Sequence, residues 1–492
     1  MSLYYKSTRG DSEKVNSLEA IVKGIANDGG LYVPSYIEKI DMSLNELSKM
    51  NYQELAYYII NKFFPDFSEE ELKDCVNSAY DEKFDTKEIA PIVEKSGAYF
   101  LELFHGPTLA FKDMALSILP YLLKTSATKL DYLKEIVILT ATSGDTGKAA
   151  LEGFKDVDGI KIIVYYPENG VSEVQERQMI TQEGKNTYVV GIKGNFDDAQ
   201  SGVKEAFNNR EFNLDLDSEG YVLSSANSIN IGRLVPQVVY YFHGYIELLR
   251  SGKIKEGDKI NVVVPTGNFG NILAAFYAKK MGLPINRFIC ASNENNVLSD
   301  FFKDGVYDRR RELKLTNSPS MDILISSNLE RLLYELSGED DENLKELMDK
   351  LSQDGIYEVS DRIKVGLKDF YGNFATEEET HSAISKVYKG TDYVMDTHTA
   401  VAYSVYEKYK DETGDNTPTI IDSTASPFKF TRSVSDSLGI EIEGKNDFEL
   451  IKELSNKTGL IIPNSIKDLE TREILHKTVC NKDEIKEAIK KY

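Results

Sequence analysis

From about residue 91 onward, short apolar runs alternate with stretches of helical periodicity: Ile136–Leu139, Lys161–Tyr166, Thr187–Val190, Ile260–Val264, Phe288–Ala291 and Thr419–Ile421. Such runs belong to strands covered on both faces, and strands separated by helices pair in parallel through βα crossovers. The alternation predicts an α/β fold with a mostly parallel sheet, and two such sheets for this many runs. Residues 1–90 read mainly as helices, the most apolar being Leu55–Phe64, and predict a small helical N-terminal domain. The catalytic region is expected over 91–432, with an insertion at about 300–390. Within it Glu339–Leu347 opens a charged amphipathic helix whose acidic run is a solvated face. The acidic and lysine-rich tail, 433–492, predicts helical segments packed at an edge. At 492 residues with 41% hydrophobic content, the chain is too long for one ordinary core and rich enough to fill two or three.

Charge and cysteine content exclude several classes. A formal net charge of −22 opposes nucleic-acid phosphates and anionic lipid over most of the surface, so a phosphorylated ligand needs a local cationic site. Cys75, Cys290 and Cys480 stand far apart without CxxC spacing, which argues against structural zinc or a disulfide framework and for a reducing compartment. The start, Met-Ser-Leu-Tyr-Tyr-Lys, has no apolar signal region, and no run approaches the roughly 18 apolar residues of a membrane span. A cytoplasmic location is the expectation.

Three segments carry chemistry. In His105-Gly-Pro-Thr-Leu-Ala-Phe-Lys-Asp-Met-Ala115 a turn at Gly106-Pro107 precedes apolar residues at helical spacing, from Ala110 to Leu122. Lys112 falls in the first turn beside buried surface. Partial burial disfavours the ammonium, and a neutral amine can form a Schiff base with an aldehyde cofactor; the plainer alternative is a surface lysine packing its stem. The second segment, Asn261-Val-Val-Val-Pro-Thr-Gly-Asn-Phe-Gly-Asn271, is an apolar run ending in a glycine turn before a buried helix. Backbone N–H groups near Gly267 and Gly270, with the helix N-terminus, make a phosphate cradle that is not GxGxxG. The third, Thr140-Ala-Thr-Ser-Gly-Asp-Thr-Gly-Lys-Ala-Ala150, fails the GxxxxGK[ST] pattern at Thr142 and Ala149. It remains a hydroxyl-rich turn able to hold a carboxylate.

In this order the three segments resemble the threonine synthase family, pyridoxal-phosphate (PLP) enzymes that share the tryptophan synthase β-subunit fold (fold type II). Tyr5–Gly10, Asp28–Pro34, Ser225–Arg233, Asp396–Ala400 and Asp422–Phe430 extend the resemblance from about residue 5 to about residue 430. The resemblance implies Lys112 as cofactor anchor and proton carrier. It implies Gly267, Asn268, Phe269, Gly270 and Asn271 as the cofactor-phosphate loop, and Thr424 as a neutral hydroxyl at the ring nitrogen. Thr142, Ser143, Gly144, Asp145 and Thr146 correspond to the substrate-carboxylate loop. Asp145 stands where relatives commonly have Asn, and an ionised Asp cannot donate to the cofactor's phenolate oxygen. For the substrate phosphate, Arg233 is a bidentate donor with Ser225 and Asn227 as neutral partners, its alternative being a structural ion pair. Lys148 is a further candidate cation. Lys429 is either a surface lysine or part of the anion field, and His105 and His398 receive no catalytic role.

The activity implied is conversion of O-phospho-L-homoserine and water to L-threonine and phosphate, by γ-elimination and β-replacement with PLP as cofactor, no metal, no nucleic acid and no membrane. Alternatives are a PLP-dependent phospho-lyase or serine/threonine dehydratase releasing 2-oxobutyrate, and a catalytically silent sensor of anionic metabolites.

Overall fold

The computed structural model describes residues 3–142, 144–168 and 170–492. Two sheets form its body. The larger runs, in spatial order, through Phe370–Phe374, Ile285–Ser292, Ile260–Pro265, Thr419–Ser423, Ala98–Glu102 and Ile92–Lys95, parallel except for the last pair. The smaller is parallel throughout: Thr478–Cys480, Thr187–Ile192, Ile160–Pro167, Glu135–Ala141, Tyr221–Ser224. Every apolar run singled out in the sequence is a strand in one of these sheets, and Ile260–Pro265 and Thr419–Ser423 are buried along their whole length.

Strand alternation divides the cores. Val262 and Val264, with Ile136 and Ile162, face one continuous core that also takes in the N-terminal helices. Val263, Ile289 and Ile421 point the other way, into a core shared with the helix Thr397–Thr413. Val137, Leu139 and Ile163 meet the C-terminal Ile485 and Ile489.

Two expectations need correction. The stretch at about 300–390 is not wholly an insertion: Phe370–Phe374 extends the larger sheet, and the helix Glu377–Thr391 packs on Thr397–Thr413. The tail 433–492 is not only helical, since Thr478–Cys480 adds a strand to the smaller sheet. Both strands sit at sheet edges and are short or interrupted by Gly372 and Asn373, so they lack the apolar run of a central strand. The N-terminal part holds the helices Ser17–Lys23, Leu44–Leu47, Tyr52–Asn61 and Glu69–Ala79, each opened by a capping box, plus the antiparallel pair Tyr5–Ser7 and Tyr32–Pro34. Phe63 stacks on Tyr277 of the main body, and Arg9 is held bidentately by Glu330. No helix among the described residues is long and apolar enough to cross a membrane.

The strand Thr419–Ser423 carries a buried acid toward the helix Pro236–Arg250. Tyr241 Oη donates to Asp422 Oδ2 at 2.7 Å, while Oδ1 has no partner among the described residues, and burial pushes this carboxyl up to about 7. Its unfolded value is near 3.8. The unfolded chain therefore loses the proton first, and stability falls as pH rises through that window, at up to roughly 1.4 kcal/mol per pH unit. Asp422→Asn is expected to remove this decline, which thermal melting between pH 4 and 8 would detect; an unchanged profile would mean the acid is solvated.

Candidate active site

The C-terminal ends of the strands in both sheets bring the three sequence segments together. The lysine segment is stitched to the chain after Thr419–Ser423: Ala110 bridges Ala425, Phe111 N–H donates to Thr424 O at 2.8 Å, and Ser426 N–H donates to Leu109 O at 3.0 Å. Upstream, the N–H and hydroxyl of Thr108 both donate to Asp113, at 2.8 and 2.5 Å, and burial holds that carboxyl up at about 6. Lys112 caps the helix Asp113–Leu116. The expected helix from Ala110 to Leu122 is broken there. Pro120 has no N–H to return to Leu116, so a new helix, Leu119–Lys129, starts with Pro120 in its first turn.

Lys112 is buried, with Nζ 3.2 Å from Ser320 Oγ and 3.5 Å from Asp145 Oδ2. Burial lowers the pKa of its ammonium; Asp145 opposes that shift, while Arg233 and Lys429 add to it. Asp145 begins the helix Asp145–Phe154, and despite burial its pairing with Lys429 and Lys112 keeps the carboxyl ionised well below the usual range. Lys429 is therefore no surface lysine: its side chain is fully buried, 2.9 Å from Asp145 Oδ1. Lys148 drops out as a free cation, since it pairs with Glu152 at 3.0 Å and donates to Gln182.

The glycine loop follows Ile260–Pro265 and opens the helix Gly270–Met281. Among the described residues, none of the five successive main-chain N–H groups from Gly267 to Asn271 finds an acceptor. All but Asn268 are buried. Unpaired donors on a buried helix N-terminus fit an anion such as a cofactor phosphate. The left-handed residue is Phe269 (φ 69°), not a glycine, and its ring is fully buried. Gly267 is needed for another reason, because a Cβ there would lie 2.5 Å from Ser320 O. At Gly270 a Cβ would meet only ordinary contacts, at 3.6 Å or more, from Asn328, Gln237 and Ser228. Gly270→Val should therefore press its methyls on Asn328, Gln237 and Ser228 beside the loop and sharply weaken PLP binding. If titration with PLP matches the parent, the cradle lies elsewhere.

In the Thr142 turn, Thr142 Oγ1 accepts from the N–H groups of Gly144 and Gly147, at 3.0 and 2.9 Å, so this hydroxyl shapes the turn from within. Gly144 takes φ 132°. The N–H groups of Asp145 and Thr146 have no acceptor among the described residues; Ser143 lies outside them. Thr424 is buried, with its N–H on Thr399 Oγ1 and its hydroxyl without a partner among the described residues.

Arg233, in the short helix Ile231–Leu234, is 6% exposed. Its Nη1 donates to Ala226 O at 2.7 Å, and among the described residues no carboxylate pairs with it. Burial alone brings it down to about 10, so it stays charged near neutrality. Among the described residues the structural ion pair considered for it is absent. Ser225 and Asn227 lie on the segment just before it, where Asn227 N–H donates to Ser225 Oγ at 3.2 Å. His105 sits between Asp85 (2.5 Å) and Glu102 (3.0 Å); burial pulls it down, but the two carboxylates outweigh this and raise it to about 9. It belongs to the turn, not to the cleft chemistry.

Sequence reading missed three supporting residues. Ser320, in the turn Pro319–Met321, touches both Lys112 and Asp145, and its N–H donates to His398 Nε2 at 3.2 Å, the ring being oriented by Asp396 at 3.0 Å on Nδ1. Gln175 donates to Asp145 Oδ1 at 2.9 Å. Asn328 receives the guanidinium of Arg331 at 2.6 Å and donates to Asn268 O at 3.0 Å, bracing the glycine loop. None carries a local motif.

Comparison with known proteins covers nearly the whole chain. Residues 4–80 match the model described as threonine synthase N terminus, 88–423 that of pyridoxal-phosphate dependent enzymes, and 399–491 that of the threonine synthase C-terminal region. Threonine synthase-like 1 of Homo sapiens is 42% identical over 437 residues, 86% of this chain; the chain spans only 58% of that relative's length. Threonine synthase of Saccharomyces cerevisiae is 36% identical over 501 residues, covering 96% of this chain and 94% of the yeast one. The crystal structure of PLP-bound threonine synthase from Brucella melitensis superposes with a TM-score of 0.88 at 34% identity, covering 100% of this chain and 99% of that one. With its buried lysine, its glycine loop and its buried arginine, and with matches of this extent, the chain belongs to the threonine synthase family of pyridoxal-phosphate-dependent enzymes.

Proposed function

We propose that the protein converts O-phospho-L-homoserine and water to L-threonine and phosphate in the cytoplasm. The observation that carries this reading is Arg233: a buried guanidinium with no carboxylate partner among the described residues, close enough to Lys112 to depress its basicity. An uncompensated buried cation is costly, and a dianionic ligand phosphate offsets that cost on binding. When bound, PLP supplies an electron sink that acidifies the substrate's Cα–H and then its Cβ–H.

The chain's own residues do the rest. The free N–H groups of Gly267–Asn271 hold the cofactor phosphate, and the Thr424 hydroxyl offers the ring nitrogen a neutral partner that leaves the sink mild. The Thr142–Thr146 turn receives the substrate carboxylate through N–H groups and hydroxyls. Lys112 carries protons between carbons, removing them at Cα and Cβ and returning them at Cγ and Cα. Arg233, with Ser225 and Asn227, grips the far phosphate, which leaves with the electron pair of the Cγ–O bond. Water then adds at Cβ. Gripping the phosphate aligns the substrate and also rejects L-serine and L-threonine, which lack it.

Product analysis tests this. Phosphohomoserine should yield phosphate and threonine in nearly equal amounts, with deuterium at Cα and Cγ of threonine formed in deuterated water. Phosphate accompanied by 2-oxobutyrate and ammonia would make the protein a lyase, and efficient deamination of serine would make it a dehydratase.

A further inference from the structure

Asp145 stands between two buried lysines and divides its oxygens between them. Oδ1 receives Lys429 Nζ and Gln175 Nε2, both at 2.9 Å. Oδ2 lies 3.5 Å from Lys112 Nζ and 3.4 Å from Ser320 Oγ, which is itself 3.2 Å from Lys112 Nζ. Lys429 has no freedom to leave. Its ammonium also donates to Thr108 O at 2.9 Å and Gln178 Oε1 at 3.4 Å, and Thr108 is locked in turn to Asp113. Gln175 is equally confined, since a Cβ on Gly144 would collide with its amide. With Oδ1 held from two directions the carboxylate cannot rotate, and Oδ2 alone is presented to the Lys112 amine.

We propose that Asp145 is the acceptor that holds and orients the Lys112 amine whenever that amine is not bonded to the cofactor, and that Lys429, which holds the carboxylate's other oxygen, opposes it as a like charge facing Lys112. This rests on the proton-carrying role proposed for Lys112 and adds what sets its charge. A proton carrier must be an amine in one step and an ammonium in the next. Burial favours the amine, and Asp145 favours the ammonium. The other charged groups facing Lys112 are Arg233 from the helix Ile231–Leu234 and Lys429 from the turn Pro427–Phe430, both opposing the ammonium; Ser320 and the Phe111 ring, 4.8 Å away, are neutral. Occupied on Oδ1 by Lys429 and the Gln175 amide and on Oδ2 by Lys112 and the Ser320 hydroxyl, an ionised Asp145 acts as a counterion and not as a donor to the cofactor.

The two partners of this pair make opposite demands, which gives the test. The full-length chain, freed of cofactor, is labelled competitively with acetic anhydride across pH, and the midpoint for Lys112 is read by peptide mass spectrometry. Asp145→Asn, nearly isosteric, should move that midpoint down by about 1 pH unit or more; Lys429→Gln should move it up, because a like charge is lost and Oδ2 remains. A merely structural pair would shift both variants in one direction, and that result, or an unmoved midpoint in Asp145→Asn, overturns the proposal. Should Lys429→Gln fail to fold, judged by circular dichroism, Asp145→Asn decides alone. Failure of the parent reading shows separately, as borohydride fixation of PLP on a lysine other than Lys112.

Discussion

Replacement of Lys112 by alanine is expected to abolish turnover while leaving the fold, and a weaker hold on PLP, intact. The fold survives because the buried carboxylate beside it is not orphaned: Asp145 keeps Lys429 and Gln175 when Lys112 is gone. The substitution also removes an ammonium that burial already disfavours. PLP should still be retained through the unpaired N–H groups of Gly267–Asn271, with lower affinity and without the lysine linkage. Turnover should drop by more than the roughly 10²–10⁴-fold that proton transfer alone contributes, because linkage and proton carrier disappear together. Circular dichroism, PLP titration and a phosphate-release assay separate these effects. In the parent, the purified protein should be yellow, with borohydride fixing the cofactor on Lys112. Substantial turnover by Lys112→Ala would sink the assignment.

Arg233→Ala is expected to retain bound PLP yet weaken phosphohomoserine binding by about 2–5 kcal/mol, the range for removing one partner of a desolvated ion pair. Lysine should rescue only part, since the planar fork is lost. Stability distinguishes this from a structural role. Without ligand, Arg233 is a buried charge whose partner among the described residues is Ala226 O, so Arg233→Met should leave the melting temperature unchanged or raise it. Phosphohomoserine should stabilise the parent against heat and the variant hardly at all. The pH dependence has a definite sign: burial lowers the Arg233 pKa but leaves the guanidinium charged, so phosphate affinity should be flat through neutrality and decline only below about pH 6, where the ligand phosphate takes up a proton. Destabilisation of Arg233→Met with substrate affinity preserved would return the residue to a structural role.

The sequence by itself determined the central strands other than Ala98–Glu102, the glycine and hydroxyl turns that end them, and the lysine beside the first turn. These are local properties: a strand covered on both faces must be apolar along its length, and a loop approached by an anion must bare its N–H groups. Edge strands were illegible for the same reason, since Phe370–Phe374 and Thr478–Cys480 are covered on fewer sides and carry no uninterrupted apolar run. Only the tertiary structure decided the electrostatics. Lys148 and Lys429 look alike in sequence, each a lysine beside apolar residues, yet one pairs within its own helix with Glu152 while the other crosses to Asp145. Ser320 carries no motif and reaches Lys112 because the turn Pro319–Met321 is folded back over Gly267 and held by His398. Arg233 could have met a carboxylate and, among the described residues, does not. Charge pairing depends on which side chains from distant segments share a buried volume, and chain spacing does not encode that, whereas burial of a strand or the opening of a helix is written in consecutive residues.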